Sequence, residues 1–327
     1  MPVISAADQV LDDEVYVDLR HSLGVNLRLK CEGFNFAGSV KLRAAVALVE
    51  AAARNGQIGP RTTLVESSSG NLGVALSVVA AARSLDFVCV TDPKCNPATV
   101  KMIRRLGSKV IVVDRPDAIG GYLAARKALV RELCEREPDY VWLNQYENPA
   151  NWLAHYEATA PLIAKRFPAL DVLFVGVGTG GTLAGCARYF GDNHPDVRVV
   201  AVDSVGSVNF GRPAGARHIP GLGAGEQMPF TEQAPVHDVV SVPEPETVRM
   251  CRRLAARGFL FGGSTGTVVS GAAQWLARHD PAQRLTAVAI APDLGERYLD
   301  TVYDDSWLAE HYPDLEDPSD FTTGDRP

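Results

Sequence analysis

Short apolar runs alternate with stretches of helical period along most of this chain. The runs TTLVE (62–66), DFVCVT (86–91), KVIVV (109–113), YVWL (140–143), DVLFVG (171–176), VRVVAVD (197–203) and TAVAIA (286–291) predict strands. Between them, Leu42, Ala45, Val46 and Val49 share one face of a helix predicted over 41–54. Strands that alternate with helices predict βαβ units, hence an α/β fold with parallel sheet buried on both faces. The stretch 204–236, rich in Gly and Pro, breaks the rhythm and is too long for a passive connection, which predicts a functional loop. The acidic tail from 312 predicts a frayed end.

Composition narrows the function class. A length of 327 residues suggests about two domains. A formal net charge of -7 argues against a nucleic-acid partner, which would call for a basic excess. No apolar run reaches the ~18 residues needed to span a bilayer. The start MPVISAADQVLDDEVYVDL is acidic and lacks a basic-then-apolar leader pattern. The expectation is a cytoplasmic protein with small-molecule partners and no membrane partner. Cys31, Cys89, Cys95, Cys134, Cys186 and Cys251 are scattered, with no C-x-x-C pair. They predict neither a disulfide framework nor a metal site.

Candidate chemistry gathers in four Gly/Ser-rich turns, each at or just before a helix start. Ligands in open α/β sheets bind beyond the carboxyl ends of strands, where such turns lie. In AGSVK (37–41), Lys41 falls in the first helical turn. The positive end of the helix dipole and partial burial would both favour its neutral amine, a nucleophile able to form a Schiff base. A solvated surface lysine is the alternative. In ESSSGNLG (66–73), Ser67 to Asn71 could form a carboxylate site or simply cap a helix. GVGTGGTLAG (176–185) suits close approach of a phosphate or tight strand–helix packing. It also matches G-x-G-x-x-G at Gly176, Gly178 and Gly181, with Asp203 where a dinucleotide ribose carboxylate would stand. A nicotinamide-dependent oxidoreductase is therefore a rival reading. In FGGSTG (261–266), Ser264 could aim a hydroxyl into a cleft or cap the next helix.

Taken together, the turns resemble those of the fold type II pyridoxal-phosphate enzymes, the cysteine synthase and cystathionine β-synthase family, over roughly 25–303. The resemblance implies a tryptophan synthase β-like fold, with two open, mainly parallel sheets and pyridoxal 5'-phosphate between them. It implies a small domain over 45–148 and a large domain of 1–44 plus 149–327. Lys41 would carry the cofactor and act as general base. Ser68, Ser69, Gly70 and Asn71 would bind the substrate carboxylate, with Asn71 also at the cofactor's ring oxygen. Gly178, Thr179, Gly180, Gly181 and Thr182 would bind its phosphate, and Ser264 would meet its ring nitrogen. NQYENPAN (144–151) would turn Gln145 to the substrate, and IPGLGAG (219–225), with Gly221, would form a mobile loop. The usual assembly is a homodimer.

Two positions depart from the common cysteine synthases. Leu42 replaces the Asp of K-D-R, and Leu72 replaces the Thr of S-G-N-T-G. EGFNFAGSVKLR, SSSGNLG and GERYLDTVYDDSW are more similar to the 2,3-diaminopropionate biosynthesis synthases of siderophore and peptide-antibiotic pathways. That branch implies β-replacement joining O-phospho-L-serine and L-glutamate, giving N-(2-amino-2-carboxyethyl)-L-glutamate and phosphate. A sulfur nucleophile is the alternative. Substrates with a phosphate and carboxylates suit arginine. GRPAGARH in the long loop offers Arg212, Arg217 and His218, of which at least one is expected in the substrate cleft.

Overall fold

All seven expected strands form, and three more join them. The computed structural model describes residues 4–11, 14–116 and 121–315. Its strands are β1 (Tyr16–Asp18), β2 (Leu27–Cys31), β3 (Thr63–Ser67), β4 (Asp86–Thr91), β5 (Lys109–Val112), β6 (Tyr140–Trp142), β7 (Val172–Gly176), β8 (Arg198–Ser204), β9 (Asp238–Val242) and β10 (Ala287–Ala291). They form one sheet of order β1-β2-β10-β7-β8-β9 and another of order β5-β4-β3-β6. Among the described strands, only β1 with β2 pairs antiparallel; the other strand pairings are parallel. The chain is α/β with two open, mainly parallel sheets.

The strands missing from the apolar pattern have physical reasons to hide. β1 has only three residues, and β9 is a partly exposed edge. β2 reads LRLKC, with two cations inside it. Lys30 is nonetheless fully buried, because Glu32 lies 3.2 Å from its amine. Pairing compensates a charge that would otherwise be expensive to desolvate.

Both faces of each sheet are covered, as parallel sheets require. In the larger sheet, Phe174, Val200 and Val202 pack with Val268, Val269, Ala272 and Trp275 of the helix Gly263–His279. Leu173, Val175, Val199 and Ala201 point the other way, to Leu183, Cys186 and Phe190 of the helix Gly181–Asn193. In the smaller sheet, Leu64, Phe87 and Cys89 pack with Leu42, Ala45 and Leu48 of the helix Lys41–Arg54. Leu72 and Leu76 of the helix Asn71–Ala82 complete that cluster. Val65, Val88 and Val90 meet Val130 and Leu133 of the helix Leu123–Arg136.

Leu42 and Leu72 thus lie in one apolar core, with 0% and 3% of their surfaces exposed. Asp or Thr there would need buried polar partners. The helix Lys41–Arg54 packs on the smaller sheet, while the turn before it is stitched to the end of β10 in the larger one. Val40 N–H donates to the Pro292 carbonyl at 2.7 Å, and Ser39 pairs with Asp293. Lys41 therefore stands where the two sheets meet.

The 204–236 stretch holds only the tail of β8, a 3-10 turn at Asn209–Gly211 and a short helix at Pro229–Glu232. At the chain end, Tyr312 donates its hydroxyl to Glu244 at 2.6 Å, so the packed part runs into the expected tail. Residues 316–327 of that tail lie outside the described residues. Among the described residues, no helix is long and apolar enough to cross a membrane. Nor does any group of three or more His, Cys, Asp or Glu gather there to hold a metal ion. All six cysteines are free thiols.

Candidate active site

The carboxyl ends of β3, β7 and β10 run into segments that converge on one cavity. Its wall includes Val40, Lys41, Asn71, Gly176, Gly178, Gly180, Gly181, Thr182, Gly221, Leu222, Ser264 and Pro292. Residues from all four Gly/Ser-rich turns, and Gly221 from the long loop, thus share a single space.

Lys41 opens its helix and lines this cavity. Burial holds the amine below its ordinary value of 10.5, and the nearby Asp293 carboxylate partly opposes this. A lysine poised toward its neutral form is a nucleophile and a base.

The serine turn divides its labour. The Ser68 hydroxyl accepts from Gly70 N–H at 3.3 Å and Gly73 N–H at 3.0 Å, so it closes the helix start. Asn71, the first residue of that helix, reaches the cavity, and its amide donates to Asp293 Oδ2 at 2.9 Å. Ser69 and Gly70 are half-buried beside it. Gln145 is buried behind the turn, not in the cavity wall. Its amide donates to the Ser67 carbonyl at 2.8 Å, and its backbone N–H donates to Glu66 at 3.0 Å. Three hydrogen bonds hold Glu66, yet burial pushes its carboxyl up to about 7.

The glycine loop is shaped by close approaches. Gly180 has φ +85°, and a Cβ there would meet Thr231 Cγ2 at 2.8 Å. A Cβ on Gly178 would meet the Gly221 carbonyl at 2.9 Å, so the long loop closes directly on the glycine loop. Behind the loop, Asn151 reaches the Thr179 hydroxyl at 3.4 Å. The fully buried His155 lies 3.2 Å from the Thr182 hydroxyl and 2.9 Å from that of Thr159. Burial and the cations of Arg43 and Lys41 hold this imidazole well below its usual range, so it stays neutral.

Ser264 is the second residue of its helix and is buried in the cavity wall. Tyr298 lies within hydrogen-bonding reach of it.

The loop arginines go elsewhere. Arg217 donates to the Leu222 carbonyl at 3.1 Å and lies near the buried carboxylates of Asp203 and Glu244. Arg212 is exposed, His218 is exposed with its N–H on Glu244, and none of the three lines the cavity. Asp203 is buried and bonded to Ser204 N–H at 2.8 Å, with Ser207 and Asn209 as further partners. Its carboxylate is committed inside the protein and does not line the cavity.

The comparisons decide the family. The family model described as pyridoxal-phosphate dependent enzyme matches residues 16–293. The chain belongs to that family. Two curated relatives are N-(2-amino-2-carboxyethyl)-L-glutamate synthases. That of Cupriavidus metallidurans is 43% identical over 286 residues, which is 86% of this chain and 83% of the relative. That of Ralstonia nicotianae is 44% identical over 283 residues, with the same coverage. Among solved structures, an O-ureido-L-serine synthase matches with TM-score 0.84 and 33% identity, covering 94% of this chain and 100% of that one. The O-acetylserine dependent cystathionine β-synthase of Helicobacter pylori matches with TM-score 0.83 and 30% identity, covering 92% and 99%.

The cavity suits this pyridoxal-phosphate dependent enzyme. A lysine pushed toward neutrality shares the cavity with a glycine loop that opens the helix Gly181–Asn193. Helix-start N–H groups favour a phosphate. Gly178, Gly180, Gly181 and Thr182 would hold the phosphate, Lys41 the aldehyde carbon, and Asn71 and Ser264 the ring's polar atoms. Sequence reasoning does not single out Asp293, Tyr298, Asn151 or His155, which back the cavity residues. Asp293 had one local signal: it follows the carboxyl end of β10, where functional residues of open sheets gather.

Proposed function

We propose that this enzyme replaces the phosphate of O-phospho-L-serine with the amine of L-glutamate, giving N-(2-amino-2-carboxyethyl)-L-glutamate and phosphate. One observation carries the reading. Lys41, Asn71, the glycine loop and Ser264 share one cavity in a chain 43–44% identical to synthases of that product.

Pyridoxal phosphate, when bound, draws electrons from the α-carbon of a joined amino acid and so permits loss of a β-substituent. The protein's residues do the rest. Lys41, held toward neutrality by burial, takes the α-proton and later returns a proton. The helix start at Asn71 offers its positive dipole end to the substrate carboxylate. The Ser264 hydroxyl in the cavity wall would give the cofactor's ring nitrogen a neutral partner, which favours β-replacement over amino transfer. The loop 219–225, braced by Arg217 on the Leu222 carbonyl, shields the site from water.

The test is direct. Purified enzyme loaded with pyridoxal phosphate is given O-phospho-L-serine, then L-glutamate or sulfide, with phosphate and product measured. Glutamate-dependent product formation is expected. Turnover with sulfide alone would move the enzyme to the sulfur-transfer branch.

The same reading takes 45–148 as the small domain and 1–44 with 149–327 as the large one, and assigns the product to 2,3-diaminopropionate supply for a siderophore or peptide antibiotic. A cytoplasmic location fits six free thiols. The exposed apolar side chains Phe34, Phe36, Leu260 and Leu299 support a homodimer. Sedimentation at micromolar concentration tests it.

A further inference from the structure

Behind the cavity, one carboxylate gathers donors from several cavity-lining elements. Asp293 is only 1% exposed. Its Oδ2 accepts from Asn71 Nδ2 at 2.9 Å and from the Tyr298 hydroxyl at 2.5 Å. Thr265, next to Ser264, donates its hydroxyl to the Asp293 backbone carbonyl at 3.1 Å. The backbone around Asp293 is shared as well. Its neighbour Pro292 accepts from Val40 N–H, Leu294 N–H donates to Gly38, and Gly262 N–H donates to Asp293 itself. One residue therefore touches the turn of Lys41, the side chain of Asn71 and the helix start of Ser264.

A buried carboxylate is a poor device for stability alone, since desolvation offsets most of what its hydrogen bonds contribute. Its donors here are telling. Asn71 belongs to a helix on the smaller sheet, and Asp293 follows β10 of the larger one. Their bond spans the boundary at which the cavity lies. An amide nitrogen has two protons. With one given to Asp293, the amide plane is set, and the other N–H and the carbonyl oxygen remain for the cavity. Burial and the adjacent carboxylate keep Tyr298 protonated, so its hydroxyl donates to Asp293 while it stands beside Ser264. Asp293 does not line the cavity, but its charge acts on Lys41, which does.

We infer that Asp293 is a positioning residue for the cofactor: its carboxylate orients Asn71 and Tyr298 so that Lys41, Asn71 and Ser264 present one preset array to the pyridoxal ring. The inference deepens the proposed function and rests on that ring lying in this cavity. Its negative charge also steadies a proton on the Lys41 nitrogen, against the effect of burial.

The experiment compares wild type, Asp293→Ala, Asp293→Asn and Tyr298→Phe. Cofactor-free proteins are titrated with pyridoxal phosphate, and the dissociation constant, the position of the absorption band and the melting temperature before loading are recorded. Asp293→Ala is expected to weaken cofactor binding roughly tenfold, the scale of losing charge-assisted hydrogen bonds, and to displace the band. Asp293→Asn keeps an acceptor without the charge. It should lose less affinity yet still displace the band, with Tyr298→Phe between it and wild type. Melting temperatures that fall while affinity and band stay at wild-type values would reduce Asp293 to a packing role and overturn the inference. If the alanine variant does not fold, the asparagine variant decides on the same two readouts. A wild type that takes up no pyridoxal phosphate would instead sink the reading of the cavity.

Discussion

Two lysines of this protein, Lys30 fully buried and Lys41 half-buried in the cavity wall, have opposite fates. Lys30 sits in the middle of a sheet strand with Glu32 at 3.2 Å, Arg43 beyond that carboxylate at 3.7 Å, and the Tyr16 ring 5.3 Å away. Lys41 sits at a helix start between the sheets, where the Asp293 carboxylate that acts on it has already accepted hydrogen bonds from Asn71 and Tyr298. Burial alone does not make a lysine reactive. A partnered ammonium is a structural cation, whereas one whose potential partner is engaged elsewhere is pushed toward the neutral amine.

Breaking this comparison at Lys41 should have the largest effect. Lys41→Ala should lower kcat by about 10³-fold or more, the scale of losing a general base, while the fold survives. Steady-state turnover and circular dichroism of the same preparation check both halves.

Next comes the structural lysine. Lys30→Met leaves Glu32 buried beside Arg43 alone, which should cost about 3–5 kcal/mol of stability. Denaturant unfolding measures it, and a loss under ~1 kcal/mol would mean that Lys30 is not the balancing charge.

The smallest effect has the opposite sign. Lys41 has a lowered folded-state pKa, so the unfolded chain binds its proton more tightly and stability rises with pH up to the ordinary value of 10.5. Lys41→Met removes that penalty. In the cofactor-free protein it should raise Tm by roughly 1–3 °C near pH 7, with the gain shrinking as pH approaches 10.5. A Tm that falls at every pH would show that the Lys41 stem matters more than its charge.

Much of this is legible in the sequence alone. The seven apolar runs are strands because buried parallel strands carry their signal in contiguous residues. The Gly/Ser turns are equally local, since a left-handed residue such as Gly180 demands glycine in its own position. β2 was not legible, because its lysine looks like a surface residue until Glu32 is seen beside it. The loop arginines mislead for the converse reason. A cation near a cleft in sequence can reach a carbonyl inside the fold, as Arg217 reaches Leu222. Leu42 and Leu72 stood out in the sequence, but only packing shows that both serve the core behind the site rather than its wall.

The sequence by itself determined the α/β alternation, the position of Lys41 at a helix start and the turn chemistry at each strand end, since these depend on neighbours within a few residues. The tertiary structure decided which lysine is paired and which is poised, where Gln145 and Arg217 point, and that Asp293 joins Asn71 to Tyr298. Those depend on burial and on partners as far apart as Asn71 and Asp293, 222 positions along the chain. Desolvation and long-range hydrogen bonding arise only once the chain has closed on itself.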